Sequence, residues 1–165
     1  MHPVAHLPRQ EEDRVMVLFV VVGFIDPVPM IPFSRDDWPR HITVSTNVEI
    51  DDVGPRLVTA LAEAFDGTGP AAASAGARAA FGPAGDVPVV LVEPSEPWRD
   101  RHERVRVVIT RTGGRFTTPH TGDAYRPHVT DTRAGVWTGT AVVTLLHLVR
   151  LDGRTATVDA ALPLA

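Results

Sequence analysis

The chain of 165 residues contains no cysteine and no lysine. Without cysteine there is no disulfide framework and no thiolate metal site. Without lysine there is no lysine nucleophile, which bears directly on any ligase reading. All 16 basic side chains are arginines, so contacts to a phosphate must come from arginine forks, hydroxyls or backbone N–H groups. Long apolar runs are also missing. Residues 15–24 are apolar, but this stretch falls well short of the roughly 20 residues that span a bilayer. It follows Glu11, Glu12 and Asp13 rather than a positive leader. It reads as a central buried strand, and a cytoplasmic protein without a membrane segment is expected. A net charge of −4 argues against a protein that coats long nucleic acid by electrostatics. It leaves room for one nucleotide or RNA end in a local positive cleft.

What the chain does contain is a near-duplication. Trp38-Pro39-Arg40-His41-Ile42-Thr43 and Tyr125-Arg126-Pro127-His128-Val129-Thr130 each read as an aromatic, a Pro/Arg pair, His, a β-branched apolar residue and Thr. Residues i and i+2 of a strand share a face. Each string therefore sets one imidazole beside one hydroxyl and turns Ile42 or Val129 into a core. The bare His-x-Thr pattern is cheap in a Thr-rich chain. Its weight comes from context, since both copies open β-rich segments after a proline-containing approach.

The remaining elements follow from local pattern. Residues 26–39 are a proline-rich loop, and 40–48 alternate as a strand. Asp51 or Asp52 is expected to cap a helix carrying Val53, Leu57, Leu61 and Phe65 on one face. The Ala/Gly/Pro stretch 67–85 reads either as a linker or as a weak strand near 74–81. Strand 87–93 precedes a helix from Glu96, whose run 99–104 reads as a solvated charged face. Residues 112–124 are a mobile loop, and His120 within it reads as a surface residue. Two β-branched runs, 140–151 and 154–162, are joined at Asp152-Gly153 as a hairpin. This mixture without regular βαβ alternation predicts an α+β fold with antiparallel sheets. Residues 1–13 are expected to be a flexible tail, and 14–165 one domain.

The two strings resemble the signature of the two-histidine (2H) phosphoesterase superfamily, which includes 2′,5′ RNA ligase-like proteins and 2′,3′-cyclic nucleotide phosphodiesterases. The matching residues are His41-Ile42-Thr43-Val44 and His128-Val129-Thr130-Asp131, and the resemblance spans about residues 15–162. It implies two pseudo-symmetric lobes of mostly antiparallel sheet with outer helices, enclosing a central cleft. It implies His41 and His128 as catalytic residues, with Thr43, Thr130 and Arg133 on the phosphate. It also implies no metal and no cofactor. Two departures stand out. The stretch before the first motif is short and proline-rich where relatives carry a helix, and Asp131 occupies a position that is usually apolar.

The residue types suit a 2′,3′-cyclic phosphate. One neutral imidazole can take a proton from water while an imidazolium gives one to the departing ribose oxygen. The threonine hydroxyls can donate to the non-bridging oxygens. His41 is assigned here as acid and His128 as base. Trp38 and Tyr125, which flank the motifs, are the candidates for stacking on a base; Arg40 and Arg126 are expected on the opposite face. The expected partner is a nucleotide or RNA end bearing a cyclic phosphate, bound by a monomer. Hydrolysis or ligation of a 2′,5′ linkage, or binding without turnover, are the alternatives.

Overall fold

Strand β1 (Val17–Phe24) is buried on both faces, and this organises the molecule. Phe19 and Val21 point into the larger core, while Val20, Val22 and Phe24 point into a smaller one on the other side of the sheet. The structure, a computed structural model, describes residues 15–165; the tail expected at 1–13 lies outside the described residues. The other strands are β2 (Phe33–Ser34), β3 (His41–Ile50), β4 (Ala71–Phe81), β5 (Val87–Glu93), β6 (Arg115–Phe116), β7 (His128–Thr130), β8 (Thr140–Val143), β9 (Leu145–Asp152) and β10 (Thr155–Pro163). Helices α1 (Pro55–Ala64) and α2 (Glu96–Arg111) complete the fold.

All pairings between these strands are antiparallel, in the order β2-β10-β9-β1-β3-β7-β5-β4-β8, with β6 added to β3. The sheet divides into two halves of four longer strands, β10-β9-β1-β3 and β7-β5-β4-β8. Among the described residues, the strand ladder joins the halves through β3 and β7, at the pair Ile42–Val129. The expected α+β architecture is present. The division differs from a simple halving of the sequence: the C-terminal hairpin β9–β10 completes the half begun by β1, and the middle of the chain forms the other half.

Both helices cover one face. Leu57 and Leu61 of α1, and Trp98, Val105 and Ile109 of α2, pack with Ile42, Val44 and Val129 into the larger core. At roughly 25 cal/mol per Å² of apolar surface, a buried side chain of this size gains about 1.5–3 kcal/mol over an exposed one. The period-2 pattern thus commits Ile42 and Val129 to the helix side and leaves His41, Thr43, His128 and Thr130 on the other. The smaller core lies on that other face. Phe33 and Trp38 of the proline-rich loop fold over Val20, Val22 and Phe24 there.

Local readings needed four adjustments. Gly54 caps α1, with Pro55 in its first turn, in place of Asp51 or Asp52; proline's fixed φ and missing N–H suit that position. The stretch 67–85 holds a full strand, β4, because pairing with β5 on one side and β8 on the other outweighs its weak local propensity. The run 99–104 is only partly solvated. Arg101 and His102 are buried, and Arg101 donates to the carbonyls of Pro97, Thr68 and Gly69 at 2.8, 3.2 and 2.6 Å. The last hairpin turns at Gly153-Arg154, one residue later than expected, with Asp152 paired to Thr155. Gly153 takes φ 57 and no described non-glycine residue has positive φ, the signature of a II′ turn.

Candidate active site

In an antiparallel ladder a single pair fixes its neighbours. With Ile42 opposite Val129, His41 faces Thr130 and Thr43 faces His128. Cross-strand Cβ atoms of this kind lie about 4.5–5.5 Å apart. Two imidazoles and two hydroxyls therefore form one square patch with a local two-fold relation. All four line a single cleft of about 890 Å³. The hydroxyls of Thr43 and Thr130 make no hydrogen bond among the described residues.

The two imidazoles are oriented alike. His41 Nδ1 lies 2.8 Å from the carbonyl oxygen of Pro39, and His128 Nδ1 lies 2.7 Å from that of Arg126. A carbonyl can only accept, so each Nδ1 carries the proton and donates. Each neutral ring then keeps its Nε2 lone pair for proton transfer. Both partners sit two residues before the histidine, which is the structural content of the Pro/Arg pair in each string. Aromatic walls stand behind them: Trp38 lies 4.7 Å from the His41 ring and Phe81 lies 4.6 Å from the His128 ring, centroid to centroid.

Burial lowers both imidazole pKa values. His41 is pushed down from 6.5 to about 4, mainly by desolvation, with the positive charge of His128 adding to the effect. His128 is lowered by desolvation and by the charges of His120 and Arg126. A charge on His128 opposes a charge on His41. Among the described residues no group of three or more His, Asp or Glu side chains is arranged to hold a metal ion. No described helix is long and apolar enough to cross a membrane.

Several residues fall elsewhere than their sequence positions suggest. Tyr125 lines the cleft but is only 3 % exposed. Its ring stacks on His102 at 4.1 Å, nearly parallel, and its hydroxyl donates to the Thr43 carbonyl at 2.9 Å. Its face is therefore occupied, which corrects its reading as a stacking platform. Its work is to brace the strand that carries Thr43. Arg133 is exposed in the turn closed by Thr132 and Gly135 and does not line the cleft. Its charge does reach Asp36 at the cleft rim. Arg40 is neutralised by Asp26 at 2.8 Å, away from the cleft.

Arg126, its counterpart, does line the cleft, with its guanidinium 5.2 Å from the centre of the Phe81 ring. It precedes β7, so strand alternation does not govern it. Asp131 is held in a two-pronged pair by Arg78, both contacts 2.7 Å. Its charge is thus answered before any phosphate approaches. Phe81 escaped the sequence reading because it ends an Ala/Gly-rich stretch with no aromatic pattern. His120, read as a surface residue, is exposed but stands at the cleft mouth.

Trp38 and Tyr125 should separate cleanly on mutation. Tyr125→Phe removes the hydrogen bond to Thr43 and is expected to cost about 1 kcal/mol of stability, read by urea denaturation. Trp38→Leu is expected to raise KM about tenfold for a substrate with a second base that reaches the Trp38 end of the cleft, the order of one lost base stack. The converse pattern would return the stacking role to Tyr125.

The fold is shared with known proteins. E. coli LigT, solved with 3′-AMP, superposes with a TM-score of 0.57 at 14% identity, covering 92% of this chain and 99% of that one. A protein solved under the name phosphoesterase gives the same TM-score and coverage at 16% identity. E. coli LigT with NADP+ gives a TM-score of 0.53 at 15% identity, covering 91% of this chain and 98% of that one. At such identities the likeness establishes the fold. No curated protein matches the chain in sequence. The model of the 2′-5′ RNA ligase superfamily matches residues 32–159, a span that includes both His-x-Thr strings and most of the chain. The protein belongs to the 2′-5′ RNA ligase superfamily.

Proposed function

We propose that the protein is a phosphoesterase that hydrolyses 2′,3′-cyclic phosphates of nucleotides or RNA ends by paired-histidine acid–base catalysis, without a metal ion. One observation carries this reading. The Ile42–Val129 pair gathers two imidazoles with free Nε2 atoms and two unengaged hydroxyls around a space lined by a single cleft. The expected membership of the 2H phosphoesterases and the nucleotide-bound LigT neighbours are consistent with it.

The pKa directions favour exchanging the roles assigned from sequence. The proton of a singly protonated pair resides on His128, because His41 resists charge down to about 4. In the proposed reaction His41 Nε2 takes a proton from water as its oxygen bonds to phosphorus. The bond from phosphorus to the ribose 3′ oxygen breaks, and His128 Nε2–H protonates that oxygen. A 2′-phosphate results. Thr43 and Thr130 donate to the non-bridging oxygens as charge accumulates there.

The test is turnover of a panel in EDTA: 2′,3′-cyclic mononucleotides, a 2′,5′-linked dinucleotide and an ADP-ribose 1″,2″-cyclic phosphate. Preferred hydrolysis of the cyclic mononucleotides is expected. Preference for the 2′,5′ linkage would move the assignment to that reaction, and tight binding without turnover of any member would make the protein a binding module.

A further inference from the structure

The cleft extends beyond the phosphate seat, and its far end carries polar groups with nothing to bind. Two register shifts against β1, between Phe19 and Val21 and between Val21 and Val22, insert extra residues into β3. Bulges re-aim side chains. Here Thr46 and Asn47 come to line the cleft, although strict alternation would have put Thr46 with Ile42 and Val44 in the core. Strand β6 then pairs with β3 at Val48–Phe116 and Glu49–Arg115, and Thr117 N–H donates to the Asn47 carbonyl at 3.0 Å. The same register carried one step on sets Thr118 alongside Thr46. Thr118 also lines the cleft.

The hydroxyls of Thr46 and Thr118 are both buried and both lack a hydrogen-bond partner. The side-chain amide of Asn47 likewise makes no hydrogen bond among the described residues. Buried polar groups left unpaired are costly, and native structures retain few of them. Two in adjacent positions, beside a free amide and on the wall of one cleft, mark a place where a ligand completes the hydrogen bonding. The set is uncharged, with both donors and acceptors. A phosphate could take the donors of this set but would leave the Asn47 carbonyl oxygen without a donor. The edge of a nucleobase presents alternating donors and acceptors and does match; asparagine amides and hydroxyls read such edges.

We propose that Thr46, Asn47 and Thr118 form a specificity subsite for the hydrogen-bonding edge of a nucleobase attached to the phosphate held by His41 and His128. This deepens the proposed function and rests on its phosphate seat. The subsite lies beyond Thr43 along β3, on the side away from Trp38. The two-ended cleft therefore recognises a nucleoside by hydrogen bonds at one end and offers an aromatic wall at the other.

Equilibrium binding tests the subsite without requiring turnover. The probes are adenosine 2′-monophosphate, uridine 2′-monophosphate and inorganic phosphate, titrated into the wild-type protein and a Thr46→Val, Thr118→Val double variant. Valine keeps the shape and removes both hydroxyls. The wild type is expected to bind at least one nucleoside 2′-phosphate at least about tenfold more tightly than inorganic phosphate, and the double variant to bring that ratio within about threefold. Thermal unfolding of the ligand-free variant should not fall, since two unpaired buried hydroxyls are gone; a folded variant keeps the binding comparison meaningful. An unchanged ratio in the folded variant would overturn the subsite and leave the phosphate seat standing. A wild type that binds neither phosphate nor nucleotide would overturn both. If Thr46→Val and Thr118→Val unfold the chain, Asn47→Ala supplies the same comparison, and again an unchanged ratio defeats the proposal.

Discussion

Alanine at His41 or at His128 will each lower kcat on a 2′,3′-cyclic nucleotide by about three orders of magnitude, within the range a positioned acid or base contributes. The two losses will not add. The double variant should be only slightly worse than either single one, because each imidazole acts on a step that the other completes. Neither change should unfold the protein. Both rings are partly exposed in the cleft and make one protein hydrogen bond apiece, to the Pro39 and Arg126 carbonyls. The comparison that gives this result meaning is Thr43→Val and Thr130→Val. Each removes one donor to the non-bridging oxygens and should cost about one to two orders of magnitude in kcat, less than either histidine. A histidine variant with wild-type turnover would end the paired-imidazole account, whatever the fold.

Acid will act on both activity and stability, with a defined sign. Burial lowers the pKa of His41 to about 4 and also lowers those of His102, His128 and His147. Between the unfolded value of 6.5 and each folded value, the unfolded chain binds more protons than the native one. Stability therefore rises with pH across that window, is complete above 6.5, and is lost as pH falls toward 4. His41 alone accounts for up to about 3 kcal/mol of this slope at 1.36 kcal/mol per unit. His102 adds to it for a visible reason. Its Nδ1–H donates to the Val44 carbonyl at 2.7 Å while its Nε2 accepts the Gly122 N–H at 2.8 Å. A second proton would set N–H against N–H. Urea denaturation from pH 7 to pH 4.5 measures the slope, and His41→Gln should flatten it.

The same shifts fix the shape of kcat/KM against pH. The proposed reaction needs His41 neutral and His128 charged in the free protein. The rate should rise through about 4 and fall through the lowered pKa of His128, giving an optimum on the acid side of 6.5. An optimum above pH 7.5 would mean that the pair is not protonated as described.

The parts of this site that were legible in the sequence are those governed by short-range periodicity. Alternation in β3 places His41 and Thr43 on one face and Ile42 in the core, and the second string does the same within three residues. What alternation cannot reach is pairing between distant strands. The register Ile42–Val129 brings together residues far apart in the chain, and it decides that the four side chains form one patch. Thr46 was illegible because a bulge breaks the very rule used to read the strand. Phe81 and Thr118 were illegible because a weak strand and a loop carry them in. The different placements of Tyr125 and Trp38, both expected to stack on a base, have the same origin. Both precede a motif, but Tyr125 meets His102 of α2, and no local pattern announces a buried histidine on a helix rich in charge. Asp131, a departure from a usually apolar position, is paired with Arg78, which lies on a stretch that local pattern left open between linker and weak strand.

The central claim is that the Nε2 atoms of His41 and His128 face one phosphate from two paired strands. Imidazole ¹⁵N spectra recorded at pH 6.5 during titration with adenosine 2′-monophosphate test it most directly. The account predicts that Nε2 of both His41 and His128 shifts along one saturation curve, while Nδ1 of each stays protonated on its carbonyl. Movement of only one of the two rings, or of neither while the nucleotide binds, would contradict it.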